Sequence, residues 1–403
     1  MILIAAHGKT PVHNLLFPWD ADTAFPGSTA TRRKHTAMTT STSPGNDIAL
    51  GLIAQDLMFL RRFIQGVVAA GDQAVVPMFC MHNYICLIVH ESHRALQMIE
   101  PDLAGLLAYD CAPAIERARH SVKLFDDKHK QLPATSQDFE RIIDAHREEF
   151  LNNTWLPLAR PLEKDLVLWR CRDRVISTSH VANFFLAFSP QQLRNPRALG
   201  RELHDTAVEQ GRYAAAATNE LPWTGESFMD TLKAADLTER EVRAEKTYRQ
   251  AFDPALPEAV KAALTGLTCA LNVVDVLLAG DADGHSAITV AKLRYITLHH
   301  VLSSLRKLAG QYGPRLQHPA QAVLDGILTA PTSVLMDQAH SGFRNTLVHY
   351  RPEQRVQEQL SLHMPLYGLI DVYFPGKDFT SLNTEVAAHL TDVAHRMQAW
   401  SRW

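Results

Sequence analysis

"LRYITLHHVLSSLRKL", residues 293–308, decides the fold class. Leu298, Val301, Leu302, Leu305 and Leu308 recur at the three- and four-residue steps of a helix turning about 100° per residue, so they form one inward stripe. His299 and His300 point away from that stripe, with Ser303 and Lys307 nearby, and read as solvated or groove-lining side chains. Working outward, the same period runs through 48–71, 77–99, 136–153, 161–178, 257–280 and 286–313. The closing segment repeats it with Leu382, Val386, Leu390, Val393 and Met397. No alternating strand and no Asn-Gly hairpin stands out. The expectation is an all-α protein of antiparallel helical bundles joined by short connections.

Residues 1–45 lack sustained periodicity and pass through "TATRRKHTAMTTSTSPGND", a polar stretch with too little apolar surface to order itself. They read as a disordered tail, and Met38 as an alternative start. The Pro/Gly punctuation in "NELPWTGESF" (219–228) suggests a boundary, giving helical domains at 46–222 and 223–403.

With 403 residues, 46% of them hydrophobic and 21% charged, the chain can bury a substantial core. A net charge of −3 gives no global attraction to nucleic acid or to an anionic membrane, so any RNA binding is local. Five cysteines without a CxxC read as free thiols of a reducing, cytoplasmic compartment, and no structural metal is expected. The apolar run 74–89 is shorter than a membrane span and contains His82 and Asn83; no membrane partner is expected.

The chemistry-bearing candidate is "SGFRNTLVHYRP", residues 341–352. Phe343, Leu347 and Tyr350 make the core stripe of this helix; Asn345 and His349, four residues apart, lie on the other side, and Arg344 projects from the flank. Arginine, a polar residue and then a histidine four to six positions on resembles the motif of the HEPN family. The helix at 293–308 resembles the long helix that precedes it, and the resemblance covers roughly residues 255–403. It implies metal-independent RNA cleavage in catalytic members, with Arg344 and His349 catalytic, Asn345 supporting and no cofactor. It also implies a toxin or phage-defence setting with a protein antitoxin as partner.

Histidine can take a proton from a ribose 2′-hydroxyl or return one to the leaving oxygen, and arginine can hold the phosphate. Yet residues five apart diverge by about 140° on an ideal helix. The family pattern resolves this with two motifs across a dimer groove, so a homodimer or an intramolecular pseudo-dimer is expected. Arg174 and His180 fit the spacing of a degenerate second copy, although Asp173 follows Arg172 instead of Arg174.

His82, Cys86, His90 and His93 share one helix face, but its ends are about 16 Å apart and cannot meet at one ion. No phosphate-cradling glycine loop or nucleophile elbow occurs. Two functions remain: an endoribonuclease, or a non-catalytic helical interaction module whose groove takes a protein or a nucleotide-bearing ligand.

Overall fold

The structure, a computed structural model, describes residues 44–402 apart from 108, 127–131, 156, 190–191, 193–194, 219–226, 282–283 and 338–339. The tail read over 1–45 and the start at Met38 therefore lie outside the described residues, except that Pro44 and Gly45 already belong to the first helix.

The all-α class holds. The long helices are α1 (Pro44–Ala70), α2 (Val75–Ile99), α5 (Leu132–Phe150), α7 (Pro196–Ala217), α10 (Glu258–Asn272), α11 (Ala287–Tyr312) and α15 (Phe379–Ser401). Shorter ones fill between them: α3 (Pro101–Leu106), α4 (Ala112–His120), α6 (Ser179–Phe185), α8 (Phe228–Thr231), α9 (Ala244–Gln250), α12 (His318–Leu328), α13 (Ser341–His349) and α14 (Leu369–Tyr373). Helix boundaries follow local chemistry. Pro101 and Pro196 stand in the first turns of α3 and α7, where a missing N–H costs nothing. Thr178 caps α6 by accepting from Val181 N at 3.1 Å, and Asp378 caps α15 by accepting from Ser381 N at 2.7 Å.

The reading of 161–178 as helix is corrected. Leu166–Cys171 and Arg174–Thr178 are strands β1 and β2, turned at Arg172, which adopts a left-handed φ of 57°. A third strand, β3 (Leu237–Val242), pairs antiparallel with β1 on its other side, giving the order β2-β1-β3. Its solvent-facing charges blunt the edge, and Trp169 Nε1 donates across the ladder to Glu239 at 2.8 Å.

This sheet also joins the two halves divided at 222/223, because β1 precedes that boundary and β3 follows it. A continuous core crosses it too: α10 packs on α5, β2 and α6, and α11 packs on α1. The halves are thus one packed unit and not two separate bundles. The segment Glu258–Asp281 is long and apolar enough to cross a membrane, yet 83% of its most apolar window is buried within this core.

Among the buried histidines are His82, His146 and His180. Burial lowers His82 and His146 to about 4 and holds His180 well below its ordinary value. A base with a depressed folded pKa binds protons more readily when unfolded. Its stabilisation is complete above an unfolded pKa of about 6.5 and is lost as pH falls through the folded value, up to about 3 kcal/mol for each of His82 and His146. Urea midpoints are expected to drop steeply between neutral pH and the lower end of that window. A flat profile would show that these imidazoles are not held neutral.

Candidate functional site

The first turn of α13 is set by its core face. Phe343 and Leu347 are buried, with Phe343 edge-on to Tyr295 of α11 at 4.9 Å between ring centroids. The helix ends at Tyr350, which takes a left-handed φ of 56° and donates its N–H to Thr346 O at 2.9 Å. A tyrosine there lacks glycine's freedom, so something must hold it. Its hydroxyl donates to Asp56 of α1 at 2.6 Å, and Lys292 Nζ, itself paired with Asp56, lies 4.1 Å from the ring centroid. Thr289 Oγ1 donates to the other Asp56 oxygen at 2.8 Å. Burial lowers Lys292 against the opposing pull of Asp56, and raises Tyr350 with Asp56 adding to it.

That anchor places His349 in the last turn of α13, against α2. Its Nδ1 lies 2.8 Å from Glu91 Oε2, and the Glu91 side chain is only 3% exposed. The other Glu91 oxygen accepts from Arg119 Nη1 of α4, which is also buried. Burial pushes the Glu91 carboxyl up. The hydrogen bond from His349 and the charges of His349 and Arg119 outweigh it, leaving the group below the usual carboxylate range. A carboxylate can only accept, so Nδ1–H donates to it and the orientation of the imidazole is fixed. The side chain as a whole is 41% exposed.

The rim is basic. Arg351 is exposed and donates from Nη1 to Met98 Sδ at 3.2 Å. Arg94, one turn earlier on α2, is exposed and acts on His90, whose imidazole burial and then Arg119 lower to about 4.

Other expected site residues are placed differently. Arg344 is half-buried on the Tyr295 side of α13, where its charge acts on the Tyr295 hydroxyl, while its Nε finds no hydrogen-bond partner. It and His349 thus act on residues of different neighbouring helices, Tyr295 of α11 and Glu91 of α2. Asn345 is exposed.

The expected degenerate second motif is corrected. Arg174 is buried in β2 and paired with Asp275 at 3.2 Å, and His180 is buried in α6, its Nδ1 3.1 Å from Tyr248 Oη and its ring 4.6 Å from that of His146. The two side chains sit on different elements, a strand and a helix, with different partners, and neither is exposed to a substrate. His300 is buried instead of solvated, His299 is half-exposed, and their rings meet edge-on at 5.4 Å.

On α2, His82 Nε2 contacts Cys86 Sγ at 3.4 Å and Gln210 Nε2 donates to the same sulfur at 3.2 Å. Burial pushes the Cys86 thiol up, which makes it packing material and not a nucleophile. Among the described residues no three His, Cys, Asp or Glu side chains converge to hold a metal ion.

Glu91 and Arg119 were not singled out from the sequence. The available signal was a carboxylate inside the apolar helix "CLIVHESHRAL", a residue type rarely buried without partners. Comparison with known proteins adds nothing to this geometry: no family model, no curated protein and no solved structure matches the chain.

Proposed function

We propose that the chain is a metal-independent endoribonuclease, with His349 as the acid–base group, Glu91 as its orienting carboxylate and Arg119 holding Glu91. The observation that carries this reading is the buried Glu91 carboxylate bonded to Nδ1 of a histidine whose side chain remains 41% exposed. In this mechanism Nε2 takes the 2′-hydroxyl proton as the 2′-oxygen bonds to phosphorus, and returns it to the departing 5′-oxygen as the P–O5′ bond breaks. Arg351 and Arg94 supply the cationic rim for the phosphate, the role that the HEPN resemblance gave to Arg344. A cytoplasmic toxin or phage-defence setting, an antitoxin partner and pairing of two copies are part of the same proposal.

Purified chain is expected to cut RNA in EDTA, leaving 2′,3′-cyclic phosphate and 5′-hydroxyl ends. Intact RNA after prolonged incubation would remove the enzyme reading. The second reading, a non-catalytic interaction module, is favoured by one observation: Arg344 acts on Tyr295 of α11 while His349 bonds to Glu91 of α2, so the two side chains address different neighbours within one copy.

A further inference from the structure

The connection from α5 to β1 carries a feature that neither the core nor the His349 site uses. Its backbone is folded by one carboxylate: Glu163 accepts from Asn152 N at 2.5 Å and from Thr154 N at 2.8 Å. The Thr154 hydroxyl and these amides hold the Glu163 carboxyl down to about 2, so its charge is committed to the loop's own turn. Asn152 adopts a left-handed φ of 63°, and a 3₁₀ turn, Pro157–Leu162, follows with two prolines stiffening it. This ordered tip turns its largest apolar side chains outward. Trp155 is 89% exposed, Leu158 87% and Leu162 73%, far beyond what scattered surface leucines require. Between and beside them Arg160 and Lys164 are exposed.

We propose that this tip is an interfacial anchor that inserts Trp155, Leu158 and Leu162 into the headgroup region of an anionic bilayer, with Arg160 and Lys164 on the lipid phosphates and carboxylates. Three observations select that occupant. The tip carries Arg160 and Lys164 against one carboxylate, Glu163, which is tied to the loop amides, so it is net positive in a chain whose net charge is −3, and the complementarity is local where the whole-chain balance offers none. Tryptophan with leucine and basic residues is the composition that settles at the membrane–water boundary. Three side chains cover about a few hundred Å², short of the roughly 800 Å² per partner of a stable protein interface. A two-fold contact of the tip with a second copy would also oppose Arg160 and Lys164 to their own counterparts.

The test is flotation of the full-length chain with vesicles of phosphatidylcholine alone or with added phosphatidylserine. Wild type is expected to float with the phosphatidylserine vesicles and to be released as salt rises. Trp155→Ala should weaken that binding about ten- to a hundredfold, the size expected for withholding one large apolar side chain. Leu158→Asp with Leu162→Asp should abolish it, and Arg160→Glu should reduce it, all with unchanged thermal melting because these side chains are exposed. Failure of wild type to float at low salt overturns the proposal, as does equal flotation of the double aspartate variant. A lipid-free dimer that the same variant converts to monomer would also overturn it, assigning the tip to a second copy.

Discussion

His349→Ala is expected to cut RNA about a hundred- to ten-thousandfold more slowly than wild type, the usual consequence of removing a proton-transfer group. The side chain is 41% exposed, so its loss opens no core cavity. It does remove one partner of the buried Glu91, which then relies on Arg119 alone, and a stability loss of about 1–3 kcal/mol is expected with the fold retained. Arg344→Ala separates the two arrangements of the site. If Arg351 and Arg94 form the phosphate rim, Arg344→Ala retains most activity and Arg351→Ala loses it. If activity needs Arg344, the catalytic groove is built by apposing two copies, because within one copy that residue serves the Tyr295 flank. Cyclic-phosphate product measured against a melting curve for each variant keeps catalysis and folding apart. His349→Ala cutting as fast as wild type would end the enzyme proposal.

What the sequence made legible follows from what its local period encodes. Phe343, Leu347 and Tyr350 are buried, as are Leu298, Val301, Leu302, Leu305 and Leu308, because a stripe at helical spacing reports its own burial. The strands escaped for a matching reason. Every residue of β2 and all but one of β1 are buried, so neither shows the apolar–polar alternation of a half-exposed strand. Read with a helical period, "LVLWRCRDRVIST" looked like one more amphipathic segment, and Arg174 and His180 then fell into a spacing rule that assumes a helix.

The site was half legible. His349 could be singled out because it leaves the core stripe, but its partner lies 258 residues away and no local pattern links them. Arg344 was favoured by adjacency to Asn345, whereas rotation about the helix axis, about 140° over five residues, governs which neighbours each side chain meets. The buried charges show the same limit. Asp56 and Lys292 each sit in an apolar helix where sequence alone gives no hint that they meet.

Asp56→Ala is expected to lower the unfolding free energy by about 3–5 kcal/mol, because it strands the Lys292 ammonium in the core without its counter-charge. The same substitution unpairs the Tyr350 hydroxyl and Thr289 Oγ1, so three groups, two on α11 and one at the end of α13, lose a shared acceptor. The test is a double-mutant cycle read by urea unfolding. Lys292→Met alone should also destabilise strongly by leaving Asp56 buried and charged. With Asp56→Leu also measured singly, the double variant Asp56→Leu with Lys292→Met should cost less than the sum of Asp56→Leu and Lys292→Met, since removing both charges abolishes the desolvation penalty along with the attraction. Additive losses would mean the two groups do not act as a pair. The network also bears on the site. Tyr350 is held in a left-handed conformation by these contacts, and releasing it frees the last turn of α13 that presents His349 to Glu91. Asp56→Ala protein that remains folded at low temperature is therefore expected to show weakened protection of the His349–Glu91 contact, seen as an NMR shift of the His349 ring protons. Unchanged His349 resonances would place the source of its orientation entirely in Glu91 and Arg119.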